Sequence, residues 1–225
     1  MKLTVFNGSP RGKGSNTKVL LEHFLNGFMK TDGNTYELAY LVRVKDRESF
    51  INLFREAEHV LLAFPLYDDA MPAIVKTFIE SLEPLCRREG NPDIGFIVQS
   101  GFPEAIHSRY VERYLEKLAA RLGCKYKGTV IKGGGESVRG QAVGAMPGFI
   151  NKGLYKSFYK LGESFGEKGE FDEKIVRTLA KPERLNKFNF RIFKLIMDIT
   201  SIFYWNKLLK KNNAFEKRFA RPYAE

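Results

Sequence analysis

A polar, glycine-rich loop near the start of the sequence contains the residue types that bind a phosphate group. Residues 8–17 read Gly-Ser-Pro-Arg-Gly-Lys-Gly-Ser-Asn-Thr and combine three hydroxyl side chains, one amide and one arginine with three glycines. Glycines let backbone N–H groups converge on an anion, and the start of a helix adds partial positive charge. The loop therefore predicts a phosphate-binding site, and its chemistry alone leaves a nucleotide and a flavin equally open.

Two well-known phosphate-binding motifs do not fit this loop. The run from Gly8 to Lys13 is one residue too short for a P-loop, and Gly14 stands where that motif needs serine or threonine. A dinucleotide GxGxxG motif is also absent, because Thr17 occupies its last glycine position. The alternative is an ordinary turn in which Ser15 or Asn16 caps the helix. The number of glycine and oxygen-bearing positions favours the phosphate site.

The loop needs a strand before it and a helix after it, and the sequence supplies both. Residues 2–7 are rich in strand formers, and apolar residues recur at helical spacing from Asn16 until the Gly33-Asn34 stop. The alternation of strands and helices continues along the chain and predicts an α/β fold with a doubly wound, five-stranded parallel sheet. The further predicted strands are 35–44, 59–64, 94–99 and 126–131, and the further helices are 47–58, 73–82, 105–122 and 149–165.

In such a sheet, ligands bind beyond the carboxyl ends of the strands. The loops at those ends are residues 8–17, 65–72 and 100–107, called here the first, second and third loops. The composition becomes basic and rich in aromatic residues near Lys181. We therefore expect a cofactor-binding domain over residues 1–180 and a helical C-terminal extension, here called the tail, over residues 181–225.

Two separated motifs resemble one family. The run Gly8-Ser9-Pro10-Arg11-x-x-x-Ser15-Asn16-Thr17, followed by Phe64-Pro65-Leu66-Tyr67-x-x-x-Met71-Pro72, is similar to the flavodoxin-like NAD(P)H-dependent FMN reductases. The run Val98-Gln99-Ser100-Gly101-Phe102 after the fourth strand adds to the resemblance. The order and spacing match over about residues 1–165, and the pair of motifs is far more specific than either alone.

The resemblance implies an FMN cofactor and assigns its contacts. It implies NADH or NADPH as electron donor and a small-molecule acceptor, which is a quinone, a nitro or azo compound, or free flavin. It also implies a homodimer with the flavin near the subunit interface. The resemblance implies that the FMN phosphate is bound by Ser9, Arg11, Ser15, Asn16 and Thr17. It implies that the ring and ribityl chain contact Pro65, Leu66, Tyr67 and Met71, and that the polar edge of the ring contacts Ser100, Gly101 and Phe102.

No catalytic side chain is expected, because a bound flavin supplies the chemistry and the protein supplies orientation and electrostatics. The alternative function is a flavodoxin-like FMN electron carrier, either free or docked on a membrane by the C-terminal helix. The basic pI of about 9.6 would then imply an acidic protein partner. Glu104, Glu136 and Arg139 are expected to be solvated loop residues rather than a substrate pocket. The effect of Asp68 and Asp69, beside Tyr67, is left open between tuning the flavin and facing solvent.

Several classes of protein are disfavoured by the composition. Cys86 and Cys124 are far apart and have no CxxC or histidine partner, so a disulfide framework, a metal site and an iron–sulfur cluster are not expected. His59 and His107 have no metal-ligand spacing, and we expect structural or surface roles for both. No secretory signal, membrane-spanning segment or nucleic-acid motif is recognisable. These features predict a cytoplasmic protein that binds no nucleic acid.

The tail carries most of the chain's net positive charge. The whole chain has 37 basic and 26 acidic residues, a balance of +11, and residues 181–225 have 11 and 4, a balance of +7. Within residues 185–211 the polar positions Lys187, Arg191, Lys194, Asp198 and Ser201 form one stripe at helical spacing, and most other positions are apolar. Packing on the domain or on a second subunit is the favoured role. The alternative is a peripheral membrane helix whose basic ends meet anionic lipid.

Overall fold

The computed structural model describes residues 1–135, 151–200 and 205–221. Five strands form one all-parallel sheet in the order β2-β1-β3-β4-β5. The predicted α/β fold with a doubly wound parallel sheet is therefore confirmed. The strands are β1 (Lys2–Asn7), β2 (Thr35–Tyr40), β3 (His59–Pro65), β4 (Asp93–Gln99) and β5 (Tyr126–Lys132).

Helices cover both faces of the sheet. On one face α1, α5 and α6 pack over Leu3, Val5 and Leu61, and on the other α2, α3 and α4 pack over Phe6, Leu62 and Phe96. The central strands β3 and β4 are buried on both faces, which explains their nearly continuous apolar sequence. The domain helices are α1 (Asn16–Phe28), α2 (Arg47–Glu56), α3 (Ala73–Ser81), α4 (Arg109–Leu122), α5 (Lys152–Lys168) and α6 (Glu173–Leu179).

The structure departs most from the sequence prediction at the second strand, at the helix after the third loop and at one additional helix. The second strand was expected to reach residue 44, but β2 ends at Tyr40 because β1 ends at its pairing partner Asn7. The helix expected from residue 105 begins as a 3₁₀ turn, and α4 starts only at Arg109. The short helix α6 was not predicted. Of the helix predicted over 149–165, residues 149–150 lie outside the described residues.

Helices α1 and α5 approach each other closely at glycines. A Cβ atom on Gly162 would overlap the carbonyl oxygen of Phe24, and a Cβ atom on Gly27 would overlap that of Tyr159. The two backbones can be this close only because neither glycine has a side chain. This contact holds α1, whose N-terminus carries the first loop, against the domain.

The tail joins the domain through a short segment that hydrogen-bonds to residues 105 and 106. Ala105 donates a backbone hydrogen bond to Pro182 O at 3.0 Å, and Ile106 donates one to Glu183 O at 3.2 Å. The guanidinium of Arg109 also binds the Glu183 carboxylate, with Nη2 2.7 Å from Oε2. Since Ala105 and Ile106 belong to the third loop and Arg109 follows it closely, this anchorage starts the tail beside that loop.

Two helices follow in the tail, α7 (Lys187–Thr200) and α8 (Asn206–Lys211). They lie within the range 185–211 predicted to be helical, of which residues 201–204 are outside the described part. None of the residues in 187–221 whose exposure is described is buried. Within the described ranges, no helix combines the length and the apolar character needed to span a bilayer.

Candidate cofactor site

Loops from the carboxyl edge of the sheet enclose a cavity of about 690 Å³. This volume lies within the range of roughly 300–1,000 Å³ that is typical of small-molecule sites. The structure therefore brings the first, second and third loops together, where the fold places a ligand. Nine of the twelve residues predicted to contact the cofactor line the cavity: Ser9, Arg11, Asn16, Pro65, Leu66, Tyr67, Ser100, Gly101 and Phe102.

Side-chain hydrogen bonds within the first loop fix its shape. The Oδ1 of Asn7, at the end of β1, accepts a hydrogen bond from Ser9 N at 2.9 Å. The hydroxyl of Ser15 donates to Gly12 O at 2.7 Å and accepts from Lys18 N at 3.1 Å, which makes it the N-cap of α1. Ser15 is predicted to hold the phosphate, and in this structure its hydroxyl holds the loop against the helix.

Thr17, the second residue of α1, has a hydroxyl that is buried without a partner. Its side-chain oxygen makes no hydrogen bond in the described structure, and the residue is only 1% exposed. A buried hydroxyl without a partner is costly, so such a group calls for an explanation. Its position at the helix N-terminus, next to Asn16 of the cavity wall, fits a hydroxyl that is completed by a bound anion.

The second loop makes a tight turn at the cavity. Tyr67 N donates to Ala70 O at 2.9 Å, and Ala70 N donates to Tyr67 O at 3.0 Å. The two residues between them, Asp68 and Asp69, have φ values of 48° and 62°, as in a type I′ turn. The turn leaves Tyr67 47% exposed at the cavity. Met71 does not line the cavity and instead packs against the buried core.

The third loop contributes a second exposed ring and is braced by a histidine. Phe102 is 51% exposed and stacks on His107, with ring centroids 4.6 Å apart. His107 Nδ1 lies 3.3 Å from Asp69 Oδ2 of the second loop, and Nε2 lies 3.7 Å from Glu104 Oε2. Glu104 Oε1 accepts a hydrogen bond from Leu185 N at 2.7 Å. His107 therefore has the structural role expected of it, and Glu104 holds the tail.

A glycine-rich turn after β5 links the first and third loops. Gly135 N donates to Ser100 O at 2.7 Å, and Asn16 Nδ2 donates to Gly135 O at 2.8 Å. A Cβ atom at Gly135 would overlap Oε1 of Gln99, so any other residue here would force that side chain to move. Burial also lowers the pKa of the neighbouring Lys132, whose Nζ donates to Gly133 O at 2.5 Å.

The tail completes the cavity wall. Phe193 of α7 and Trp205, which directly precedes α8, both line the cavity. Neither residue was predicted as part of the site, because contacts over such distances in sequence leave no local pattern. Further lining residues beyond the prediction are Asp68, Asp69, Gln99, Pro103 and Gly134. Glu136 and Arg139, considered from the sequence, lie outside the described residues.

The composition of the cavity fits a phosphate ester of a flat ring system. Among the described lining residues, Arg11 is the cation, and it belongs to the same loop as the Ser9 hydroxyl. Tyr67 and Phe102 offer flat apolar faces. Thr17 does not line the cavity, but its unpartnered hydroxyl lies next to Asn16 of the wall at the start of α1, which offers further donors to an anion. FMN has both of the chemical parts that this set of residues would hold.

One family model matches the part of the chain that carries this loop pair. Residues 1–93 match the model of the NADPH-dependent FMN reductase family. The matched segment runs from β1 to the first residue of β4 and contains the first and second loops. The resemblance inferred from the two motifs is thus confirmed, and so are the FMN cofactor and the class of NAD(P)H-dependent oxidoreductase. No curated protein sequence matches the chain.

Solved structures show the same fold at low sequence identity. An FMN-dependent NADH-azoreductase from Bacillus anthracis is 15% identical, with a TM-score of 0.55 over 73% of this chain and 99% of its own. An NAD(P)H:quinone oxidoreductase from Methanothermobacter marburgensis is 14% identical, with a TM-score of 0.58 over 73% of this chain and 96% of its own. At these identities the likeness establishes a shared fold.

Proposed function

We propose that this protein passes electrons from NADH or NADPH through bound FMN to a small-molecule acceptor. The acceptor classes are quinones, nitro or azo compounds, and free flavin. The observation that carries the proposal is the single cavity lined both by the polar first loop and by the exposed rings of Tyr67 and Phe102. The family match over residues 1–93 supports FMN as the molecule held there.

Each loop has a proposed task in binding. Ser9, Arg11, Asn16 and Thr17 contact the phosphate, and Ser15 gives the loop its shape through its own hydrogen bonds. The second loop places Pro65, Leu66 and Tyr67 along the ring and ribityl chain, and Met71 anchors this loop in the core. The third loop presents Ser100, Gly101 and Phe102 to the edge of the ring.

The chemistry that FMN supplies when bound is acceptance of a hydride and release of two electrons. The protein side chains bind and orient the reactants and keep water away. Phe193 and Trp205 of the tail serve the last task, because they add apolar surface to the cavity wall. We assign no proton-transfer step to a side chain.

Three features of the setting are proposed together with the activity. We propose a homodimer, as the family resemblance implies, and a cytoplasmic location, which the two free cysteines support. The third is peripheral membrane contact through residues 185–211, supported by their basic and aromatic composition. Sedimentation of the purified protein measures the first, and an equilibrium at the mass of one chain, 25.8 kDa, would contradict it.

The decisive experiment is anaerobic reduction of the FMN-loaded protein. NADH and NADPH are added separately, and bleaching of the flavin absorbance is followed. Bleaching with either nucleotide, followed by reoxidation with an added quinone, is the expected result. A protein that binds FMN and is bleached by neither nucleotide would instead be a carrier that receives electrons from another protein. A protein that fails to bind FMN would refute the proposal altogether.

A further inference from the structure

The tail helix α7 has three distinct faces. Successive residues of a helix are about 100° apart, so residues spaced by three or four share a face. The polar stripe of Lys187, Arg191, Lys194 and Asp198 forms one face. Phe193 lies on a second face and lines the cavity. The third face, called here the apolar stripe, consists of Phe188, Ile192, Leu195 and Ile199, at spacings of four, three and four.

The apolar stripe is open to solvent in the described structure. Its four side chains are between 43% and 69% exposed, and none of them belongs to a buried core cluster. Burial of such side chains away from water is favourable, so leaving them exposed is costly. A row of four such side chains on one helix therefore indicates a surface that is covered in the working state.

The charge around the stripe indicates what covers it. Residues 187–221 contain nine basic and two acidic residues, a balance of +7 out of +11 for the whole chain. On α7 the basic residues lie about 100° around the helix from the stripe, where long side chains reach the head-group level of a bilayer. Trp205 and Lys207 continue the same composition after α7. Amphipathic helices of this kind lie in the interface of membranes that contain anionic lipid.

A second copy of the chain is a poorer cover for this face. Symmetric pairing of two apolar stripes would bring together two segments that each carry a balance of +7 over residues 187–221, and the net like charge would repel. Anionic lipid instead offers negative charge beside an apolar layer. We propose that the apolar stripe of α7 docks the protein onto anionic membranes, and that the electron acceptor is a quinone dissolved in the bilayer.

The second half of this inference depends on the proposed function and on the cavity wall. Phe193 belongs to the same helix as the stripe, so docking holds that wall of the cavity at the lipid surface. A quinone with an apolar tail then reaches the cavity without crossing water. NAD(P)H gives up a hydride, the quinone takes up these two electrons with one further proton from solvent, and the products are NAD(P)⁺ and hydroquinone.

The docking is tested by flotation of the full-length protein with lipid vesicles. We expect flotation with vesicles that contain phosphatidylglycerol and little with phosphatidylcholine alone. Phe188→Glu removes the most exposed side chain of the stripe and adds a negative charge, and we expect at least about a tenfold loss of binding. Phe190→Glu is the matched control, because Phe190 is 54% exposed on the same helix and points about 160° away from Phe188. The control should float like the unchanged protein.

Two results would overturn the docking. One is equal flotation of the Phe188→Glu and Phe190→Glu variants. The other is that the unchanged protein does not float but self-associates through the stripe. Light scattering would then show a mass that is lower for Phe188→Glu than for the unchanged protein and for Phe190→Glu.

The acceptor is tested by NADH oxidation with vesicles that contain a long-chain quinone and, separately, with a short-chain quinone in water. Phe188→Glu should slow the reaction with the quinone in vesicles and leave the reaction with the water-soluble quinone unchanged. If the variant matched the unchanged protein in both reactions, the bilayer acceptor would be refuted. Flotation without oxidation of NADH or NADPH by any of the proposed acceptor classes would refute the proposed function while leaving the docking intact.

Discussion

Replacement of Thr17 by valine should have opposite effects on the empty protein and on cofactor binding. The hydroxyl of Thr17 is buried without a partner in the described structure, and valine keeps the branched shape while removing it. An unsatisfied buried hydroxyl costs about 1–3 kcal/mol, so the free energy of unfolding of the FMN-free variant should rise by up to that amount. A gain in stability on removal of the hydroxyl would indicate that this group has a hydrogen-bond partner only when a ligand is bound.

FMN binding should weaken in the same variant. A hydrogen bond to a charged group contributes about 1.5–3 kcal/mol, which corresponds to roughly a 10- to 100-fold rise in the Kd for FMN. Urea unfolding of the FMN-free protein measures the first effect, and quenching of flavin fluorescence on titration measures the second. Thr17→Ser keeps the hydroxyl and should retain most of the affinity.

Two outcomes would show the reasoning to be wrong. An unchanged Kd in Thr17→Val would mean that the hydroxyl does not reach the phosphate. A fall in the stability of the FMN-free variant would mean that the hydroxyl already has a partner, such as a bound water, in the empty protein.

Three further predictions concern the scaffold. Gly162→Ala should lower the free energy of unfolding by about 1–3 kcal/mol, because its Cβ would overlap Phe24 O and this cost exceeds the roughly 1 kcal/mol that alanine gains in helix propensity. Gly153→Ala in the same helix has open space around it and should not lower the free energy of unfolding, measured in urea. Burial raises the pKa of the Cys124 thiol to about 12, so mass spectrometry should find it unmodified by iodoacetamide at about pH 8 in the folded protein and alkylated in denaturant. Burial lowers the pKa of His59 below its ordinary value of 6.5, so the unfolded state takes up the proton at a higher pH than the folded state. The free energy of unfolding should therefore fall as the pH drops below about 6.5, and the fall should be smaller in His59→Gln.

The sheet could be predicted because its central strands have a strong local signal. The runs 59–64 and 94–99 are short, apolar and bounded by turn residues, as buried parallel strands are. The end of β2 could not be predicted in this way. Strand-forming residues continue to Val44, but β1 ends at Asn7 and offers no partner beyond Tyr40. The length of an edge strand is set by its neighbour rather than by its own sequence.

The candidate site was predictable to the extent that topology places loops at one edge. Three loops at the ends of three strands had to meet, and nine of twelve predicted residues line the cavity. Ser15 and Met71 follow the right pattern, but their side chains serve the shape of the loops. Sequence spacing cannot tell a hydroxyl that contacts a ligand from one that caps a helix. Only the hydrogen bonds in the structure separate Ser15 from Thr17.

The tail shows what three-dimensional contacts add to a periodic pattern. The sequence predicts one polar stripe surrounded by apolar residues and offers no reason to treat those residues differently. In the structure Phe193 faces the cavity, whereas Phe188 of the same helix is 69% exposed. The tail is also tied to the third loop, because Glu104 accepts a hydrogen bond from Leu185 N and lies 3.7 Å from His107, on which Phe102 stacks. A movement of the tail would therefore be passed to Phe102 in the cavity wall. The shape of the first loop depends on its own hydrogen bonds instead.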